Sequence, residues 1–453
     1  MTAEAFTALM PYIVLGAALM VLLLIAAFVR NENVTLGATI VSFIATLAVI
    51  PEAAGIGPQT IYDLLTLDGY AQFFNALFIV AAIATALVSH RYLASRSGAR
   101  DEFYILLVTA TFGAMTMTGA AHFASFILGL EILSISLYAM IAYPETDRPP
   151  LEAAVKYLVL SGVASTTILF GMALVYAGSG SMLFADVLST LASKGGLYYS
   201  IGQAMVLVGL AFKLSLVPFH MWTPDVYQGA PAPVTGFVAT ISKGAVFALL
   251  LRYAVQTDLL SNAAMITAIG LIAVVSMVVG NVLALLQENI KRILAYSSIA
   301  HVGYLLIALL VVSTSDSPRM ALETTMVYLT GYFLMTLAAF GVVTVLSPSD
   351  QEAAHLKRFE GLFWRKPLLA AVLTAAALSL AGIPLTVGFI AKFYLFAAGV
   401  EGAMWTLVWA LIIGSAIGVY YYLRIVFTMT KSAPDEAAAL PAASVEGLSL
   451  IHI

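Results

Sequence analysis

Apolar positions run almost unbroken through most of this chain, and polar positions gather in the short stretches between the runs. The hydrocarbon core of a bilayer is about 30 Å thick, so a crossing helix rising about 1.5 Å per residue needs about 20 such residues. Counting on that basis gives thirteen segments, at approximately 8–29, 34–50, 70–89, 102–119, 121–143, 151–177, 199–229, 233–255, 263–286, 289–313, 321–346, 368–398 and 403–428. Runs of this kind lack the strict alternation of membrane barrel strands. The pattern therefore predicts an all-α, polytopic membrane helical bundle. The first segment has no Lys or Arg ahead of it and exceeds the apolar core of a signal peptide, so it reads as a retained helix.

Segments seven and twelve differ from the rest. Each covers 31 residues, which as one unbroken helix would be about 46 Å long, more than the bilayer needs. Segment seven holds Pro218 and Pro224, and segment twelve holds Gly382-Ile383-Pro384. Proline removes a backbone donor that lipid cannot replace, so a break is tolerated facing protein or water. One reading is a pair of proline kinks; the other is a pair of discontinuous helices at ion sites, a sequence sign of an inverted repeat. The breaks lie five segments apart, and an odd offset turns the second set of helices upside down relative to the first. Leu214-Ser215-Leu216 ahead of Pro218 and Leu378-Ser379-Leu380 ahead of Pro384 echo each other. The expected division is segments one to three over 1–100, a first five-helix repeat over 101–256, an inverted second repeat over 257–430 and a tail over 431–453.

Composition narrows the classes. Of the 453 residues, 62% are hydrophobic and 10% charged, with mean hydropathy +1.00, whereas a soluble domain is nearer half apolar and a quarter charged. A water-soluble globular protein is excluded. The absence of cysteine excludes disulfides, a thiol nucleophile and Cys-ligated iron–sulfur or zinc sites. A net charge of −4 without a long basic run gives no footprint for nucleic acid. No His-x-x-x-His pair, phosphate loop or dinucleotide glycine motif appears, so neither a metal nor a bound cofactor is expected. Loops after odd-numbered segments hold twelve Lys and Arg residues, Lys291 and Arg292 among them, and loops after even-numbered segments hold two, Lys194 and Arg319. That asymmetry puts the odd loops in the cytoplasm and the N-terminus outside.

The chemistry sits in the few ionisable residues inside the segments. Glu131 lies ten residues into segment five, where a charge normally faces the bundle interior and marks a pathway; the alternative is a structural ion pair. Lys213 lies five residues before Pro218, Lys243 about ten residues into segment eight, and Lys392 eight residues past Pro384. Burial disfavours a lysine's charge and a nearby carboxylate favours it, so a lysine between the two can gain or lose a proton as its partner moves. Lys156, near the start of segment six, can instead snorkel to the cytoplasmic face. His220 and His301 in segments seven and ten are either proton carriers, through their two ring nitrogens, or hydrogen-bonded packing residues. His301 is the stronger candidate, being mid-helix between the two half-channels. His90, His122, His355 and His452 lie in loops or at ends and read as structural.

One stretch, Phe212-Lys213-Leu214-Ser215-Leu216-Val217-Pro218-Phe219-His220-Met221-Trp222-Thr223-Pro224-Asp225-Val226-Tyr227-Gln228-Gly229-Ala230-Pro231, resembles the signature of the antiporter-like subunits of respiratory complex I. These subunits are related to the multisubunit cation/proton antiporters. Gly129-Leu130-Glu131, Leu151-Glu152-Ala153-Ala154-Val155-Lys156-Tyr157, Phe170-Gly171-Met172-Ala173-Leu174-Val175-Tyr176 and Leu380-Ala381-Gly382-Ile383-Pro384 are similar to the same family, over about residues 100–428. The resemblance implies the inverted five-helix repeat and a proton-translocating subunit, without redox chemistry of its own, in the inner membrane of a bacterium. Electron transfer from NADH to quinone would take place in partner subunits that carry NAD, FMN, iron–sulfur clusters and quinone. Other membrane-arm subunits and the bilayer would be its partners. Residue by residue, the resemblance implies an ion pair of Glu131 with Lys213, a central lysine at Lys243, a polar relay position at His301 and a terminal lysine at Lys392. It also implies a fourteenth helix, whereas Thr430 to Ile453 holds no apolar run of spanning length. Two competing expectations are a Na⁺/H⁺ antiporter subunit of the Mrp type, which would share the relay residues, and a passive scaffold for neighbouring subunits.

Overall fold

The computed structural model describes residues 2–96, 100–143, 148–187, 196–257, 259–314, 318–348 and 352–432. Lys194, His452 and the tail beyond residue 432 lie outside the described residues. The chain opens with α1 (Ala3–Phe28), α2 (Glu32–Gly55) and α3 (Gly69–Ala94). Next come α4 (Asp101–Gly119), α5 (Phe123–Ile141) and α6 (Arg148–Ser179). Segment seven is two helices, α7 (Leu197–Lys213) and α8 (Trp222–Gly229). Segment eight begins as α9 (Ala232–Phe237), passes through a π-helical turn at Val238–Ser242 and continues as α10 (Lys243–Thr257). Then follow α11 (Ala263–Leu285), α12 (Ile290–Val311), α13 (Arg319–Leu346) and a short α14 (Leu362–Arg365). Segment twelve is again two helices, α15 (Pro367–Ala381) and α16 (Val387–Glu401), before α17 (Trp405–Thr430). Among the described residues, ten helices are long and apolar enough to cross a membrane, counting α9 to α10 as one. The protein is a multi-pass membrane helical bundle.

Two details depart from the hydropathy reading. α2 does not stop at residue 50 but runs through Pro51 to Gly55. A small antiparallel hairpin, β1 (Gln59–Ile61) with β2 (Leu65–Leu67), fills the α2–α3 connection; strands of three residues are too short to leave a periodic signal.

The bundle is layered by burial. The most apolar windows of α12 and of the α9–α10 helix are buried along their whole length, against 28% for α1 and α2, so the former are the central pillars. Helices in lipid associate through close packing of small residues rather than through hydrophobicity. α6 and α7 show this: a Cβ on Gly202 would lie 2.6 Å from the Gly171 carbonyl oxygen, and one on Gly171 would lie 2.7 Å from that of Gly202. The contact holds α6 against the helix that ends at Lys213.

Both broken segments stop by the same local device. In segment seven, Leu216 N–H donates to the Ala211 carbonyl and Ser215 N–H to Phe212, with Ser215 left-handed at φ 64°. In segment twelve, Ile383 N–H donates to Leu378 and Gly382 N–H to Ser379, with Gly382 at φ 82°. Each pair is a Schellman cap, which ends a helix whether or not proline follows. Pro218 and Pro384 come after these caps, where the chain no longer needs their donors. Pro224 is not in the gap at all; it lies in the first turn of α8, where proline is tolerated. A serine ties the pieces together across each gap: Thr223 Oγ1 donates to Ser215 Oγ at 2.5 Å, and Gly388 N–H donates to Ser379 Oγ at 3.0 Å.

The start of α9 is held by a clamp that hydropathy did not reveal. The Glu352 carboxylate accepts from the Tyr92 hydroxyl at 2.6 Å and the Ala232 N–H at 2.8 Å, and it pairs with Lys291. Lys291, a loop cation by hydropathy, lies in the first turn of α12 with no exposed surface, and also donates to the Ala230 carbonyl. One carboxylate thus joins α3, α9 and α12, and aims the helix that carries Lys243.

Two outcomes are expected from these contacts. Gly388→Ala should prevent folded protein from accumulating, because its Cβ would lie 1.8 Å from the Ser379 carbonyl oxygen, a backbone atom that cannot step aside. The yield of monodisperse protein in detergent reads this. Glu352→Ala should destabilise by about 3–5 kcal/mol, since it strands the buried Lys291 charge, and Glu352→Gln by less; thermal unfolding of the purified protein checks the order.

Candidate functional site

Lys213, Lys243, Lys392 and His301 are 5%, 3%, 9% and 2% exposed, so none of them reaches lipid. A buried ammonium needs partners inside the protein, and each lysine finds them differently. Lys213, the last residue of α7, donates to Ser134 Oγ of α5 at 2.9 Å and to Ser161 Oγ of α6 at 2.5 Å. The Tyr138 hydroxyl shares Ser161 at 2.9 Å. The expected direct ion pair of Lys213 with Glu131 is not formed. Ser134, one turn along the same face of α5, takes the ammonium instead, and Glu131 Oε1 is buried without a hydrogen-bond partner among the described residues.

Lys243 comes directly after the π-helical turn and is the first residue of α10. An extra residue in a turn shifts the register of the helix beyond it, and such turns recur at functional positions. Its ammonium donates to Ser298 Oγ of α12 at 2.7 Å and stands 5.5 Å from the centre of the Tyr227 ring.

Beyond Lys243 the row runs along α12. His301 follows Ser297 and Ser298 by four and three residues and Tyr304 follows His301 by three, so the helical repeat keeps them toward one face. His301 Nδ1 meets the Tyr328 hydroxyl of α13 at 2.8 Å, and its Nε2 meets the Tyr422 hydroxyl of α17 at 3.3 Å. Tyr422 in turn shares a hydrogen bond with Ser297. Lys392 of α16 stands 5.5 Å from the centre of the Tyr304 ring and donates to the Ala381 carbonyl at 2.9 Å. That carbonyl is at the end of α15, where the cap has freed it from the helix ladder. The break in segment twelve therefore supplies the partner that holds its lysine. In segment seven the Phe212 carbonyl, which already accepts from Ser215 N–H in the cap, also accepts from the Trp222 indole at 3.0 Å.

Lys156 and His220 stand apart from this row. Lys156 is half-exposed, ion-paired to Glu152 at 2.7 Å and Asp225 at 3.4 Å, in an open polar cavity of about 620 Å³ that Arg96, Arg148 and Glu352 also line. His220 is buried in the gap between α7 and α8, and its Nδ1 has no partner among the described residues. The hydroxyls of Ser134, Ser161, Ser298, Tyr328 and Tyr422 were not singled out from sequence. Serine and tyrosine are too common in the segments to stand out, although the polar spacing along α12 was visible. No cluster of three or more metal-ligating His, Asp or Glu side chains occurs among the described residues.

Known proteins share this architecture. The family described as NADH:quinone oxidoreductase/Mrp antiporter, TM, matches residues 120–418. NADH-quinone oxidoreductase subunit N of Methylococcus capsulatus is 47% identical over 434 residues, covering 96% of this chain and 88% of that protein. The protein of the same name from Ectopseudomonas mendocina is 46% identical over 442 residues, with the same coverage. Among solved structures, a chain of respiratory complex I from Thermus thermophilus with bound aureothin is 33% identical, with TM-score 0.81, over 94% of this chain and 91% of that one. A chain of the Mrp complex from Dietzia sp. is 20% identical with TM-score 0.84, over 96% and 81%, which shows a common fold. With its family signature, its subunit N relatives and its bundle all in agreement, this chain belongs to the NADH:quinone oxidoreductase/Mrp antiporter family of membrane subunits.

Proposed function

We propose that this chain is the proton-translocating N-type membrane subunit of an NADH:quinone oxidoreductase, coupling electron transfer in partner subunits to proton movement across the membrane. The observation that carries the reading is the buried row from Lys213 through Lys243 and His301 to Lys392, in which the ammonium groups are held by hydroxyls and a carbonyl rather than by carboxylates. An amine so held can pass between its two protonation states without leaving a counter-ion stranded beside it. Glu131 is the adjustable partner: the carboxylate is near Lys213 yet free of it, so movement of Glu131 toward or away from Lys213 would bias that first amine. The bias would pass inward to Lys243, then to His301 and Lys392 along α12.

Several features support the finer parts of this reading. The matching Schellman caps and the serine ties of Ser215 and Ser379 support an inverted repeat of 101–256 onto 257–430. The excess of Lys and Arg in odd loops supports an outward N-terminus in a bacterial inner membrane. NAD, FMN, iron–sulfur clusters and quinone would belong to partner subunits, and related membrane-arm subunits would be its neighbours. An Mrp-type antiporter role rests on the shared family signature and on a likeness of fold at 20% identity, whereas the 46–47% identity with subunit N proteins favours the oxidoreductase.

Lys213→Ala should bring proton pumping to background while the assembled complex stays in the membrane. NADH-driven pH change across inverted membrane vesicles reads this, and a native proton-to-electron ratio in the variant would refute the relay.

A further inference from the structure

Two buried threonines on α13 have no task in the lysine relay. Thr324 and Thr325 are fully buried, and neither hydroxyl has a hydrogen-bond partner among the described residues. Threonines in this bundle ordinarily solve the problem locally. Thr39, Thr85, Thr111 and Thr240 each donate to the carbonyl four residues back, and so do Thr330 and Thr344 on α13 itself. A buried hydroxyl left unbonded costs about 1–3 kcal/mol. Two side by side on a helix where Thr330 and Thr344 are satisfied, and where Thr336 alone of the other threonines also lacks a partner among the described residues, point to ordered water as the missing partner.

Their position gives the water a use. Side chains on a helix lean toward its N-terminus, so the Tyr328 ring lies over the turn that contains Thr324 and Thr325. The Tyr328 hydroxyl is the group that meets His301 Nδ1. On the far side of the threonines, Glu323 is 44% exposed and ion-paired to Arg319 at 2.6 Å at the helix end. The other His301 nitrogen faces Tyr422, which is bonded in turn to Ser297, and Lys392 stands over the Tyr304 ring on a different helix. The imidazole therefore has two faces with separate destinations.

We propose that His301 is a branch point, with a proton outlet leading through Tyr328 and water held by Thr324 and Thr325 to the Arg319–Glu323 end of α13, separate from Lys392. The proposal rests on the relay reading of the lysine row. A proton reaching Nε2 leaves from Nδ1 to the Tyr328 oxygen as that hydroxyl gives its own proton to the first water. The water passes a proton on toward Glu323, and each group ends with the proton count it began with. The threonine hydroxyls accept and donate to hold the water in line; they are positioning residues.

The test uses the intact complex in inverted vesicles, with NADH as the driver. Thr324→Val with Thr325→Val keeps volume and removes both hydroxyls; it should lower the proton-to-electron ratio severalfold, with subunit content unchanged. Thr324→Ser with Thr325→Ser restores the hydroxyls and should pump as the native complex does. Native pumping by the valine pair overturns the outlet, and so does loss of pumping in both pairs, which would trace the effect to packing. Should the valine pair fail to assemble, the two single valine variants read the same ratio. Lys243→Ala in the same assay separates the two readings. Native pumping by Lys243→Ala removes the relay itself, whereas its loss beside an intact valine pair removes the outlet alone.

Discussion

A charged amine inside a bilayer bundle must find every hydrogen-bond partner within the protein, because lipid offers none. Much of this structure is arranged around that requirement. Ser161 is brought to Lys213 by the glycine contact of α6 and α7, Ser134 reaches it from α5, and Ser298 is brought to Lys243 by the two central pillars. Lys392 takes a carbonyl that exists as an acceptor because α15 ends there. Lys291 has the opposite arrangement: it is locked to Glu352 and to a backbone carbonyl. A lysine tied to a carboxylate is a structural cation, and lysines tied to hydroxyls are candidates for proton exchange.

The helix breaks serve this chemistry as much as they serve the fold. Ending a helix in mid-bilayer frees carbonyl groups and costs hydrogen bonds, so each freed group needs a replacement. Lys392 supplies one in segment twelve, and in segment seven the Trp222 indole adds a second donor to the capped Phe212 carbonyl. The serine ties across the gaps keep the pieces of each broken helix together, so that the discontinuity is rigid. Placing Ser215 in the left-handed region carries a penalty of about 1–2 kcal/mol for a residue with a Cβ, which the Thr223 contact and the surrounding burial offset.

The same requirement separates the helical lysines by their surroundings. Lys156 and Lys213 both lie in long apolar segments, and the position of Lys156 near a segment start already sets it apart. In the folded chain Lys156 shares an open cavity with carboxylates, whereas Lys213 is enclosed by hydroxyls. Lys291 reads as a loop cation because it sits at a segment boundary, yet the loop after α13 folds over it and removes it from solvent.

The linear order of residues was enough to establish the membrane bundle, the two long interrupted segments, and Glu131, Lys213, Lys243, His301 and Lys392 as the residues of interest. Each of those is a local property: the length of an apolar run, the presence of a breaker, a charge where hydrocarbon surrounds it. Tertiary structure decided what the local pattern could not contain. The breaks turned out to be Schellman caps at Ser215 and Gly382, followed by the prolines, because a left-handed residue is set by how the backbone closes on itself. The partner of Lys213 turned out to be Ser134 and Ser161 rather than Glu131, because three helices distant in sequence meet there. Hydrogen-bond partners drawn from separate helices leave no periodic mark on any one of them, and they became readable only when packing brought those helices together.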